Sequence, residues 1–207
     1  MSEPRTHAAG HAVTRSKTHK LTVAAMLSAA ATVLMFIDFS VPFMPSFIKL
    51  DISELPALLA SFSLGPGYGV AVCLVKNLIN CLRTTTGCVG ELGNFLLGAI
   101  FVFCAGFIYE KFHNHKSRAG ALIGSLVGAL AMAVLSIPLN YYLTYPIYAN
   151  FMPVEVIVGM YQAIRPSVNG LLECLITFNM PFTFVKGLLD VGLCFLIYKP
   201  LSPLLHK

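Results

Sequence analysis

"NMPFTFVKGLLDVGLCFLIYKP" occupies residues 179–200, and Lys186 and Asp190 lie well inside this otherwise mostly apolar run. A stretch this long, without strand-like alternation, reads as a helix, and one this apolar reads as a membrane helix. Each ionisable group at such depth costs roughly 3 kcal/mol unless it is paired or wet, so both residues are candidates for function. Their spacing of four puts them on one helix face, where they could simply pair with each other.

The rest of the chain has the same character. Of its 207 residues, 57% are hydrophobic and only 11% charged, and the mean hydropathy is +0.76. A soluble domain carries about 25% charged residues, so a single water-soluble core is excluded. The stretches 21–37, 55–75, 92–109 and 119–154 contain no Asp, Glu, Lys or Arg. At about 20 residues per span, the chain is expected to be an all-α membrane protein, a compact bundle of six transmembrane helices. Residues 1–19 read as a basic tail and 20–207 as the membrane domain.

The expected helices are 20–37, 54–64, 68–83, 91–109, 119–144 and 180–198, with a short one around 154–163. Pro42 and Pro45 mark 38–53 as a loop. Ser53, Glu54 and Pro56 supply a cap, a first-turn acid and an early proline for the second helix. "GPGYG" at 65–69 reads as a tight turn. Eleven helical residues rise only about 16 Å, half the hydrocarbon thickness. The loop "IKLDIS" must therefore dip between the helices, and non-helical backbone at that depth has to be buried in protein or line a cavity.

With six spans, the tail, the turn at 109–118 and the C-terminus share one side. They hold Arg5, Arg15, Lys17, Lys20, Lys111, Lys116, Arg118, Lys199 and Lys207, against Lys49, Arg83 and Arg165 on the other. The positive-inside rule makes the first side, with both termini, cytoplasmic. It also accounts for the net charge of +5 without nucleic acid. Six cysteines lack C-x-x-C spacing and read as buried thiols, with no metal framework.

On this arrangement Asn77, Asn80, Glu91, Asn94, Asn140 and Lys186 collect at one depth in the outer half, beside Lys49 and Asp51 of the dipping loop. The inner half is apolar apart from Lys76 and Asp190. That pattern suits a dead-end pocket better than a pore. In the first helix Ala25 and Ala29 form A-x-x-x-A, continued by Ala24, Ser28 and Thr32, a face that permits close helix approach. Gly120, Gly124 and Gly128 repeat the spacing in the fifth helix, where packing inside the bundle is the preferred reading. No phosphate-binding loop, H-E-x-x-H or G-x-S-x-G occurs, and "HNH" at 113–115 lies in a basic turn. No catalytic residues are indicated, and any ATPase must come from another chain.

"KLDISELPALLASFSLGPGYGV", "VKNLIN", "GELGNFLLG", "LNYYLTYPIY" and "PFTFVKGLLDVGLCFLIYKPLSPLL" together resemble the riboflavin-binding S component of an energy-coupling factor (ECF) vitamin importer, over roughly 21–205. The resemblance implies a multi-pass protein of the bacterial cell membrane that captures riboflavin from outside as a transported ligand, with no cofactor. It implies delivery with a transmembrane coupling protein and two ABC-type ATPases. On it, the A-x-x-x-A face, Ala25 and Ala29, docks the coupling protein. Flavin contacts fall on Lys49, Leu50 and Asp51, on Asn140, and on Lys186, with Asn94 and Thr183 beside them. Thr183 stands where the family's P-F-N-x-x-K pattern has asparagine, so a hydroxyl replaces an amide there. Asp190 is expected to partner Lys186 or a neighbouring helix. The alternatives are an S component for a related flavin or another vitamin, and a non-transport membrane sensor or scaffold.

Overall fold

The computed structural model describes residues 17–84, 87–111 and 118–205. The first sixteen residues of the expected tail, the histidines of the basic turn and Lys207 lie outside them, as does the side chain of Lys199. Helix α1 spans Lys17–Phe36. After it, β1 (Phe39–Ser40) and β2 (Lys49–Leu50) pair antiparallel, Phe39 opposite Leu50 and Ser40 opposite Lys49. This ladder was not expected: two residues per strand leave no alternation for a sequence to display. An ion pair of 2.8 Å between Lys49 and Asp38 closes its base.

Helix α2 (Glu54–Leu64) is buried at every position except Ser63. Its sequence, ELPALLASFSL, is apolar on all sides, so it belongs in the middle of a bundle. It packs against α1, α3 (Pro66–Asn80), α4 (Val89–Lys111) and the C-terminal helix α9 (Met180–Leu205). The break before α3 is one residue, not the five of "GPGYG". Gly65 turns the chain at φ 114°, and Pro66 then starts the next helix at its first position. A 3₁₀ turn, Cys81–Arg83, follows α3.

Helix α5 (Arg118–Leu139) does not end at Thr144. It widens into a π turn, Asn140–Thr144, and continues as α6 (Tyr145–Tyr148). The short α7 is Val154–Gln162. The last helix begins nine residues earlier than 180, as α8 (Leu171–Cys174), passes through a second π turn, Leu175–Asn179, and becomes α9. Each π turn ends two residues before a proline, Pro146 and Pro181. Proline has no N–H to give and crowds the carbonyl four residues back, and a wider turn relieves both.

Among the described residues, four stretches are long and apolar enough to cross a membrane: Lys17–Phe36, Val89–Lys111, Arg118–Tyr148 and Leu171–Ile197. Met26, Leu78, Leu130 and Leu196 are among the large apolar side chains exposed around them, as a lipid-facing surface requires. The chain is an all-α membrane protein with one short ladder at its edge. The fifth-helix glycines pack inside the bundle: a Cβ on Gly124 or Gly128 would come within 2.6 Å of the carbonyl oxygen of Ala105 or Phe101 on α4. The small residues of α1 divide. Ala24, Ser28 and Thr32 are buried, while Ala25 and Ala29 are exposed on a separate face.

Candidate functional site

Lys186 does not pair with Asp190. From α9 its ammonium donates to Asp51 Oδ2 at 2.9 Å and to Asn94 Oδ1 at 3.2 Å, with Glu54 Oε2 at 4.0 Å. The reason lies in the dipping segment: Asp51 sits just before α2 and points into the bundle, 7% exposed. Asp190 lies one turn further along α9, wholly buried, and neither oxygen has a hydrogen-bond partner among the described residues.

Ser53 was expected as a helix cap and is not one. Its hydroxyl and backbone N–H both donate to Asp51 Oδ1, the latter at 2.9 Å. The hydroxyl accepts from Lys76 at 2.5 Å. Glu54, expected only to favour the helix start, is 1% exposed and forms an ion pair with Lys76, itself fully buried. The network continues through Asn94, whose amide donates to Asn77 Oδ1 at 3.2 Å, and Asn77 donates to the Cys73 carbonyl. Asn80 and Thr84 donate to Glu91. Lysines inside lipid-facing bundles persist when each finds an acidic partner, and here two of them do.

A cavity of about 360 Å³ opens above this network, at the end of the bundle where α1 and α3 stop and α4 begins. Lys49, Asp51, Asn94, Asn140, Thr183 and Lys186 all line it, and Leu50 does not. The volume falls in the range of small-molecule sites, roughly 300–1,000 Å³. The polar lining is of two kinds. Lys186, Asp51 and Asn94 are bonded to one another, whereas the side chains of Asn140 and Thr183 have no hydrogen-bond partner among the described residues. Phe47, Tyr145, Tyr148 and Phe182 supply flat apolar walls.

The sequence reasoning missed Thr144, Tyr145 and Asn179 on this wall. Asn179 is the last residue of one π turn, and Asn140 and Thr144 bound the other. The signal was the proline two residues beyond each turn, which marks where a helix must widen and re-aim its side chains.

Residues 19–202 match the family model of the ECF transporter, substrate-specific component. The chain belongs to that family. Among its relatives is the riboflavin transporter RibU of Staphylococcus aureus (strain TCH60), 35% identical over 91% of this chain and 93% of that one. Another is the riboflavin transporter FmnP of Bacillus subtilis (strain 168), 31% identical over 92% of this chain and 96% of that one. A solved structure of the S component of a bacterial ECF transporter is 33% identical, with a TM-score of 0.72, over 93% of this chain and all of that one. The ECF substrate-specific component is a transport protein, not an enzyme.

Proposed function

We propose that this ECF substrate-specific component captures riboflavin in the cavity beside Lys186 and hands it to an ATP-driven importer. The observation that carries the reading is the pairing of flat aromatic walls with uncommitted polar groups in one open-mouthed cavity. A flavin has a planar apolar ring with carbonyl and imide edges and a hydroxyl-rich chain. Asn140 and Thr183 offer it donors and acceptors, and Lys186 offers a charged donor to a ring carbonyl or nitrogen. Two of the relatives described above carry riboflavin in their names, which supports the same ligand.

The complete arrangement we propose has six spans with both termini cytoplasmic, in a bacterial cell membrane, the cavity opening outward. α2 and α3, hinged at Gly65, act as the second and third spans, α2 being half-length because the ladder loop completes its depth. Ala25 and Ala29, exposed on α1, form the face against a transmembrane coupling protein that works with two ABC-type ATPases. Lys49 and Asp51 border the ligand at the loop, and Leu50 between them stays outside the cavity lining.

Purified from cells grown with riboflavin, the protein is expected to be yellow, to show a flavin absorption spectrum and to release riboflavin on denaturation. A colourless preparation that leaves added riboflavin fluorescence unquenched would overturn the reading. A different extracted vitamin would retain the S-component role and replace the ligand.

A further inference from the structure

One polar feature of the cavity wall is not used by the contacts proposed above. Tyr145, Tyr161 and Asn179 come from three segments, α6, α7 and the second π turn, and their polar atoms close a ring. Tyr161 donates to Asn179 Oδ1 at 2.6 Å. The Asn179 amide nitrogen donates to the Tyr145 oxygen at 3.2 Å. The two phenol oxygens are 2.6 Å apart. Tyr161 has one hydrogen, already given to Asn179, so Tyr145 must donate across that last contact.

Every member of the ring therefore gives one hydrogen and takes one. Asn179 cannot flip its amide without both hydroxyls turning as well, so the two tyrosines hold the amide plane and couple its orientation to their own. Tyr161 is fully buried and Tyr145 nearly so, and a buried ring of this kind is costly to leave half-made. Of its two amide hydrogens Asn179 keeps one unused, and Asn179 and Tyr145 both line the cavity. Next to Tyr145, Thr144 also lines the cavity, and its buried hydroxyl oxygen has no hydrogen-bond partner among the described residues.

We propose that Asn179 is a specificity-determining residue whose spare N–H, fixed by Tyr145 and Tyr161, reads a hydrogen-bond acceptor on the edge of a planar heterocycle. Tyr161 is a positioning residue: it acts through Asn179 and does not touch the ligand. Thr144 completes the station with a hydroxyl for a neighbouring polar atom of the same edge. The inference rests on the flavin reading. It goes beyond it by assigning a donor: the spare N–H of Asn179.

The test is a panel of riboflavin and its 1-deaza, 5-deaza, 2-thio and 4-thio analogues, in each of which one ring acceptor is removed or weakened. Binding is measured by titration against detergent-purified protein. Asn179→Ala is expected to weaken riboflavin by about 3- to 10-fold, the range of a neutral hydrogen bond. It should weaken four of the five ligands by a similar factor and one analogue by less than twofold. That analogue identifies the acceptor. Tyr161→Phe, close to isosteric, should weaken riboflavin severalfold in the native background and have no effect once Asn179 is alanine. A uniform loss across the panel, no loss at all, or additive effects of the two substitutions would each overturn the proposal. If the native protein binds none of the five, the flavin reading itself fails, which is a different result from any of these.

Discussion

Lys186 and Asp51 stand 135 positions apart in the chain, and their side chains meet at 2.9 Å with 9% of each exposed. The pair ties α9 to the segment just ahead of α2, on the floor of the proposed binding cavity. Lys186 therefore has two duties, one toward the fold and one toward a ligand, and they can be separated.

Lys186→Met keeps the length of the stem and removes the donors. Riboflavin affinity is expected to fall about 10- to 150-fold, the loss of a charge-assisted hydrogen bond of about 1.5–3 kcal/mol. Thermal stability should fall too, because Asp51 keeps its Ser53 donors but loses its cation. Adding Asp51→Asn should recover much of the stability and none of the affinity. Adding Asp190→Leu in its place should not recover the midpoint, since Asp190 is not bonded to Lys186. Fluorescence quenching and a melting curve in detergent read the two quantities.

Lys76 and Glu54 are a purely structural counterpart. Both are essentially excluded from solvent, and removing one leaves the other buried without its close ion-pair partner. Lys76→Met is expected to destabilise the protein by about 3–5 kcal/mol, and the pair Lys76→Met with Glu54→Gln to regain most of it. The measurement is again thermal unfolding, and a single substitution without effect would contradict the pairing.

The exposed face of α1 gives a sharper division. Large side chains at Ala25 and Ala29 should leave flavin binding by the isolated protein nearly unchanged and abolish cellular uptake, because close helix approach fails over bulky groups. Loss of binding and uptake together would place these residues in the internal core.

Topology can be read with a membrane-impermeant thiol reagent on intact cells, in a background without the native cysteines. A cysteine at Ser167 should react and one at Ser117 should not. The opposite pattern would invert the proposed orientation.

The close approach of α5 to α4 predicts that Gly128→Val is poorly tolerated. Its Cβ would meet the Phe101 carbonyl oxygen, and overpacking of this kind costs about 1–3 kcal/mol. The same change at Gly192, which faces open space, should be near neutral in expression and melting temperature.

Much of this architecture could be read from residue order. α2 was placed to the residue because Ser53, Glu54 and Gly65 bracket an apolar run, and the small residues of α5 were correctly assigned to internal packing. The cavity could be anticipated because Lys49, Asp51, Asn140 and Lys186 converge once helices are assigned depths. The pairing of charges could not. Lys186 and Asp190 satisfy a helical spacing rule that Asp51 overrides from another part of the chain, and no local pattern reports a contact over that separation. Glu54 and Lys76 were hidden for the same reason. Thr144 is hidden because it falls in a π turn where an unbroken helix is expected, and Asn179 because the last helix is expected to begin only at 180.

Lys186 gives two of its three hydrogens, to Asp51 and Asn94, before anything enters the cavity. A solute arriving there can take the third hydrogen without displacing either partner. Asp51 and Asn94 hold the ammonium in place for that contact, so the polar floor is ordered in advance and selects molecules that bring an acceptor to it. The apolar drive comes from the hydrocarbon that Phe47, Tyr148 and Phe182 cover. Calorimetry of binding should accordingly show a pronounced negative heat-capacity change. The gain in affinity on warming or cooling should then track the aromatic walls more closely than the lysine beneath them.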